Sequence, residues 1–267
     1  MTIKTALMNV LVAAVRKAAR GLVRDFGELE HLQVSMKGPG DFVTSADLRT
    51  EKILIEELKK VRPDFAFLTE ESGEIPGSGD CRWIIDPIDG TKNFLHAVPY
   101  FCISVGVEKT LEGGKSDLIA GVVYNPISDE LFMAEKSQGA FLNDRRIRVS
   151  TRKELPECLL ATGIPHQITP TFEPRMKQMD VIARKSTGVR CPGAGALDLA
   201  YVAAGRYDGF WYHDLNPWDM AAGIVLIREA GGKASGIGGE VALPRGGSIL
   251  ATNGLIHAPL GALLTEV

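Results

Sequence analysis

Trp83-Ile84-Ile85-Asp86-Pro87-Ile88-Asp89-Gly90-Thr91 places two carboxylates three residues apart, between an apolar run and a Gly-Thr step. Carboxylate oxygens are the ligands that a hard divalent cation such as Mg²⁺ takes. The bulky and β-branched Trp83, Ile84 and Ile85 predict a buried strand. Pro87, with no N–H to donate, is expected to stop the ladder just after Asp86. Ile88, apolar between two acids, is expected to pack its side chain inward while its carbonyl faces a cation. Gly90 allows close backbone approach, and Thr91 brings a hydroxyl to a helix start running through Lys92, Asn93 and Phe94. A helix N-terminus offers free N–H groups to a phosphate. Taken alone, the same corner also reads as two acids capping a turn. Other carboxylates have to decide between the two.

Three more acidic segments bear on it. Asp41 and Asp47 flank Phe42 to Ala46, a strand-like run that ends where a second helix begins, so Asp47 suits helix capping and catalysis equally. Glu70-Glu71-Ser72-Gly73 follows the strand 65–68, where a solvated acidic turn is the other reading. Trp218-Asp219 opens a helix after Asn216-Pro217, and an acid in a first turn also complements the helix dipole. Considered together, Glu70, Asp86, Asp89 and Asp219 each fall at a junction with apolar neighbours. Unpaired buried carboxylates are very unfavourable, and bound cations resolve that repulsion. Two or three Mg²⁺ around one phosphate give a route to hydrolysis, since one polarises a phosphoryl oxygen and another lowers the pKa of a water.

The elements that must hold these groups follow from patterning. Helices are expected over 4–26 and 46–61, separated by a flexible Gly38-Pro39-Gly40 loop. Strands are expected over 65–68, 83–85, 103–109, 118–124, 130–135 and 139–142, with Asn143-Asp144 as a hairpin turn. Their hairpin succession predicts an antiparallel sheet. Beyond Ser150-Thr151 the pattern alternates: strand 158–162, helix 171–183, strand 188–190, helix 196–204, strand 209–212. A helix over 218–230 stops at Gly231-Gly232, and strands near Ala234 and over 248–251 precede a short terminal helix. The chain thus divides into an α+β half, 1–150, with most of the acids, and an α/β half, 151–267, with Asp219.

With 267 residues, 45% apolar and 24% charged, the chain can bury a large core. A net charge of −3 argues against a general polyanion binder, so no direct nucleic-acid contact is expected. The first helix sets Leu7, Val10, Leu11, Ala14, Val15 and Ala18 on one face, with Arg16, Lys17 and Arg20 close behind, which reads as a packed amphipathic helix. No apolar run approaches the ~20 residues of a membrane span, and a cytoplasmic protein is expected. Cys81, Cys102, Cys158 and Cys191 form no C-x-x-C pair, so they read as reduced packing residues.

Asp41-Phe-Val-Thr-Ser-Ala-Asp47, Glu70-Glu71-Ser72, the Trp83 to Thr91 run, and Trp218-Asp219 with Glu229-Ala-Gly-Gly232 together resemble the inositol monophosphatase family of Mg²⁺-dependent, lithium-sensitive phosphatases. The resemblance covers most of the chain. Gly195 to Gly205 and Pro217 to Gly223 are most similar to its bacterial SuhB-type branch. The resemblance implies an α+β / α/β fold, the layered αβαβα sandwich of the inositol monophosphatase and fructose-1,6-bisphosphatase type. It also implies a homodimer that hydrolyses inositol-1-phosphate with a metal-activated water and no phospho-enzyme.

By the same resemblance, Glu70, Asp86 and the Ile88 carbonyl hold a first Mg²⁺, and Asp86, Asp89 and Asp219 a second. Glu70 orients a third ion through water. Asp47 and Thr91 position and deprotonate the attacking water, so Asp47, Thr91 and Glu70 form the catalytic set, while the Gly90 and Thr91 N–H groups hold the phosphate. The substrate positions Gly193, Ala194 and Tyr212 depart from the family pattern. Tyr212 stands where a glutamate is common, followed by His213 and Asp214, and Ala194 where Ser or Thr is usual. That leaves fructose-1,6-bisphosphate, histidinol phosphate or a 3′-phosphonucleotide beside inositol-1-phosphate as the small phosphorylated sugar or polyol substrate. The SuhB-type branch further implies contact with the transcription antitermination machinery. Lys136, Arg145-Arg146-Ile147-Arg148 and Arg152-Lys153 would supply that surface, or else a solvated hairpin face.

Overall fold

The structure, a computed structural model, describes residues 4–29, 34–38, 41–164, 171–241 and 245–266. Helix α1 (Ala6–Gly27) begins at Thr5, whose hydroxyl accepts the Met8 N–H at 3.1 Å, and it buries Met8, Leu11, Val15, Ala18 and Leu22 along one stripe. Strands β1 (Val34–Gly38) and β2 (Asp41–Thr44) pair antiparallel; β2 covers the start of the strand-like run expected after Asp41, and β1 is an additional strand. Pro39 and Gly40 of that loop lie outside the described residues. Helix α2 (Ser45–Val61) follows directly.

Eight strands form the larger sheet: β3 (Ala66–Thr69), β4 (Gly73–Ile75), β5 (Cys81–Asp89), β6 (Cys102–Thr110), β7 (Ser116–Asn125), β8 (Glu130–Glu135), β9 (Gly139–Leu142) and β10 (Arg145–Ile147). Their spatial order is β10-β9-β8-β7-β6-β5-β3-β4. Neighbours pair antiparallel, as the hairpin succession predicts, except that β3 runs parallel to β5. Short α3 (Thr91–Leu95) follows β5. The C-terminal part supplies β11 (Leu159–Thr162), α4 (Phe172–Lys185), β12 (Gly188–Arg190), α5 (Gly195–Ala203), β13 (Gly209–Leu215), α6 (Pro217–Glu229), β14 (Lys233–Ser235), β15 (Gly247–Thr252) and α7 (His257–Thr265). Its sheet has the order β12-β11-β13-β15-β14. Strands β12, β11 and β13 are parallel, as α/β alternation requires, whereas β15 runs antiparallel to both β13 and β14.

Three apolar clusters stack these elements into five layers. Leu11, Val15 and Leu22 of α1 and Leu54 and Leu58 of α2 pack on one face of the large sheet against Trp83, Ile85, Val105 and Val122. On its other face, Leu197 and Leu199 of α5 and Ile224 and Ile227 of α6 meet Ile84, Val123 and Phe132, and they also touch Phe210 and Ala251 of the small sheet. Beyond that sheet, Ile182 of α4 and Leu260 and Leu264 of α7 pack on Trp211 and Leu250. The result is an αβαβα sandwich with α5 and α6 between the sheets. Contact there is close: a Cβ on Gly106 or Gly121 would stand 2.7 Å from Ala221 Cβ or Ala222 Cα of α6. Cys81, Cys102 and Cys158 are buried, Cys191 is exposed, and all four are free thiols. Among the described residues, no helix is long and apolar enough to cross a membrane.

Candidate metal centre

Strand β5 does not end at Pro87. It continues to Asp89 through an irregularity: Asp86 pairs with Ser104 and Asp89 with Cys102, so three steps on β5 match two on β6. One residue is extra, which is a β-bulge, and a bulge tolerates the missing proline N–H. Its consequence is geometric. Residues three apart on a regular strand point to opposite faces, but the extra residue brings Asp89 back to the side of Asp86. Ile88 packs inward as expected, 1% exposed among the apolar residues beneath α1 and α2.

Asp219 reaches the same point from α6. Asn216 is the N-cap, Pro217 opens the helix, and Asp219 Oδ2 accepts the Asn216 N–H at 2.7 Å in a capping box. Oxygen atoms of Asp86, Asp89 and Asp219 all lie within 4.8 Å of one another. Glu70, beyond the end of β3, and Asp219 both act on the Asp86 carboxyl. Burial first, and then the mutual repulsion of these acids, holds the Asp86 carboxyl well above the usual range. Burial also pushes Asp89 up to about 6, against the backbone N–H groups that favour its charge, and Asp219 up to about 7. Four mutually repelling carboxyls with only oxygen donors fit hard divalent cations: the cation's charge offsets what protons otherwise have to neutralise.

Asp47 stands in the first turn of α2 and caps it, as one of its two sequence readings expected. Its Oδ2 accepts the Thr44 N–H at 2.7 Å and the Thr44 hydroxyl at 2.5 Å, closing the capping box of α2. Its other oxygen, Oδ1, accepts the Thr91 hydroxyl at 3.4 Å, and that hydroxyl also lies 3.0 Å from the Ile88 carbonyl. Burial raises the Asp47 pKa to about 6, opposed by the Thr44 hydrogen bonds. Gly90, at φ +92°, turns the chain from β5 into α3; a Cβ there would meet Ala194 Cβ and the Tyr100 carbonyl, each at 3.1 Å.

Patterning did not reveal two supports. Glu51, one turn after Asp47 and 2% exposed, accepts the Glu71 N–H at 2.9 Å and the Ser72 hydroxyl at 2.5 Å, which fixes the Glu70 turn. Asp89 itself is anchored by the first turn of α5, accepting the N–H groups of Gly195, Ala196 and Leu197 at 3.2, 2.8 and 3.4 Å. The i, i+4 spacing of Asp47 and Glu51 was the one available signal, because it puts both acids on one helix face. Nothing local marks α5 as the partner of Asp89, 106 residues earlier.

The family model for the inositol monophosphatase family matches residues 4–267. The chain belongs to the inositol monophosphatase family. A protein of Rhizobium meliloti (strain 1021) named inositol-1-monophosphatase is 49% identical over 94% of this chain and 92% of its own length. A Nus factor SuhB of Escherichia coli (strain K12) is 40% identical over 92% of this chain and 91% of its own. Among solved structures, the extragenic suppressor protein suhB of Bartonella henselae superposes with a TM-score of 0.92 at 50% identity, covering 98% of this chain and 99% of that one. The αβαβα architecture is therefore the family's own.

Gly193, Ala194 and Tyr212, expected from the sequence to face the substrate, lie at the mouth of α5 and on β13. Gly193 and Ala194 lead into α5, with Ala194 at its N-cap, buried and packed on Gly90. Half-buried Tyr212 covers Gly163, and its hydroxyl pKa is raised by burial, with Arg175, Asp214 and Asp219 among the charges that act on it. Asp214 is 69% exposed and ion-paired with Arg175, while His213 Nε2 lies 2.8 Å from Gln178 Oε1 on α4.

Proposed function

We propose that the protein is a Mg²⁺-dependent phosphomonoesterase that converts inositol-1-phosphate to inositol and phosphate. The convergence of Asp86, Asp89 and Asp219 beside the Thr91–Asp47 pair carries the reading. Relatives named inositol-1-monophosphatase, 46–49% identical, support the choice of alcohol. Glu70, Asp86 and the Ile88 carbonyl would hold one ion, Asp86, Asp89 and Asp219 a second, and Glu70 a third through water. Bound there, Mg²⁺ supplies Lewis-acid polarisation of the phosphoryl oxygen and a lowered pKa for the attacking water.

The chain's own groups manage the proton and the phosphate. Thr91 Oγ1 accepts a hydrogen bond from the water as its own proton turns toward Asp47 Oδ1. With a pKa of about 6, Asp47 is ionised at neutral pH yet basic enough to serve as acceptor. The Gly90 and Thr91 N–H groups are the phosphate donors. Because α3 has only five residues, their contribution is direct hydrogen bonding rather than a macrodipole.

Gly193, Ala194 and Tyr212 face the alcohol in this reading. Tyr212 and Ala194 favour a second reading within the same chemistry, a phosphatase for fructose-1,6-bisphosphate, histidinol phosphate or a 3′-phosphonucleotide, since a phenol is a poorer acceptor for polyol hydroxyls than a carboxylate. The relatives named Nus factor SuhB support a further, compatible role at the transcription machinery, with exposed Arg145 and Arg146 on edge strand β10 as its surface. Homodimerisation, lithium inhibition and a cytoplasmic setting belong to the same family reading. The test is a comparison of kcat/KM for inositol-1-phosphate, fructose-1,6-bisphosphate, 2′-AMP and histidinol phosphate, because selectivity is a difference in transition-state affinity. Inositol-1-phosphate is expected to rank first, and a preference for another ester moves the assignment to that alcohol.

A further inference from the structure

Asn93 lies on α3, and its side-chain amide faces two backbone carbonyls, Tyr100 O at 2.7 Å and Pro192 O at 2.8 Å. Carbonyls only accept, so the NH₂ group points at both and each of its hydrogens is used. Pro192 precedes α5 and lies 99 residues further along the chain. Tyr100 makes a second connection, since its hydroxyl donates to Asp198 Oδ1 of α5 at 2.6 Å. Asp198 is 1% exposed, so this bond has no competing solvent. Tyr100 therefore gives its carbonyl to α3 and its hydroxyl to α5.

What this frame encloses is the Gly90 turn. Asp89, on one side of Gly90, is pinned by three N–H groups of α5. Thr91, on the other side, belongs to α3. Glycine at φ +92° is the pivot between them, and a Cβ there would already crowd the Tyr100 carbonyl and Ala194. Unrestrained, such a pivot would let Thr91 turn relative to the Asp89 carboxylate.

We infer that Asn93 and the Tyr100–Asp198 pair form a clasp that locks α3 onto α5 and so fixes the angle at Gly90 between Thr91 and Asp89. They are positioning residues, and the inference rests on the phosphatase reading only for what Thr91 and Asp89 do. A misplacement of about 1 Å at a reacting group can cost on the order of a hundredfold in rate, so the clasp acts on turnover beyond its share of stability.

The experiment uses the full chain as wild type, Asn93→Asp, Asn93→Ser, Tyr100→Phe and Asp198→Asn. For each, kcat and KM for inositol-1-phosphate, Mg²⁺ binding by calorimetry without substrate, and Tm are measured. Asn93→Asp turns two donors into acceptors facing carbonyls, and Tyr100→Phe cuts the bond to α5. Both should lower kcat by about tenfold or more well below Tm and weaken Mg²⁺ binding. Asp198→Asn keeps an acceptor for the Tyr100 hydroxyl and should lose far less turnover than Tyr100→Phe. If Asn93→Asp does not fold, Asn93→Ser, which keeps a single donor, takes its place. Wild-type kcat and Mg²⁺ affinity in folded Asn93 and Tyr100 variants, with only Tm lowered, overturns the clasp. Should wild type itself not hydrolyse the ester, the phosphatase reading fails separately, and the Mg²⁺ titrations still decide the clasp.

Discussion

Asp86 and Asp89 direct their carboxylates to one point although they are three residues apart on a single strand, because a one-residue bulge across Pro87 and Ile88 restores the lost parity. The bulge concentrates negative charge in a buried place. In the metal-free protein that concentration is a cost, and with the proposed Mg²⁺ bound it would be the binding site.

Removing one of these charges should therefore separate stability from function. Asp86→Asn keeps the side chain's shape and relieves repulsion from Glu70, Asp89 and Asp219. Its metal-free Tm should be equal to or above that of wild type, while the Mg²⁺-induced rise in Tm and the turnover are lost. A lower metal-free Tm with an intact Mg²⁺ response would show that the carboxylate serves the fold instead.

The pH dependence has a defined sign. Asp89 and Asp219 have folded pKa values of about 6 and about 7, and Asp86 is also raised, all above the unfolded carboxyl range near 4. Between about pH 4 and pH 7 the unfolded chain gives up protons that the folded chain keeps, so these groups destabilise the metal-free protein progressively as pH rises. The Tm advantage of Asp219→Asn over wild type should grow across that window. Mg²⁺ affinity should rise over the same range, with proton release that calorimetry in buffers of different ionisation enthalpy detects. Binding without proton release at pH 6 would contradict the assignment.

Thr91 tests the proposed proton path. Its single hydroxyl proton has two acceptors in reach, the Ile88 carbonyl at 3.0 Å and Asp47 Oδ1 at 3.4 Å, so Thr91→Ala should lower kcat by roughly a hundredfold or more with a small change in Tm. Thr91→Ser should recover most of the rate. Equal turnover in the alanine and serine variants would remove Thr91 from the path.

Glu51 tests the support beneath Glu70. Glu51→Ala strips the Glu71 N–H and the Ser72 hydroxyl of their acceptor, which should cost about 1–3 kcal/mol in urea unfolding and raise the Mg²⁺ concentration needed for half-maximal rate. Glu51→Gln keeps an acceptor for the backbone N–H and should be milder on both measures. A stability loss with unchanged Mg²⁺ dependence would confine Glu51 to the fold.

Residues that act through their own type and place were legible in the sequence. Asp86, Asp89 and Asp219 stand at element junctions whose caps and apolar flanks are local, and the structure brings them together. The amphipathic stripe of α1 and the hairpin run from β6 to β9 are likewise periodic signals. Pro87 misled, since a proline rule written for regular ladders does not foresee a bulge that absorbs the missing donor. Strand β1 and the parallel pairing of β3 with β5 also escaped, because short strands are set by the partners they meet. Asn93 was visible only as part of a helix start, and its partner Pro192 lies too far along the chain for any spacing rule.

The initial rate of phosphate release from inositol-1-phosphate by wild type and Asp86→Asn, followed across a Mg²⁺ titration with and without excess chelator, decides whether the hydrolysis is metal-borne. Wild type should turn over only with Mg²⁺, lose all activity in chelator and regain it on re-addition, while Asp86→Asn stays inactive although folded. Full turnover in chelator, or an active Asp86→Asn, would contradict a metal-borne hydrolysis at this site.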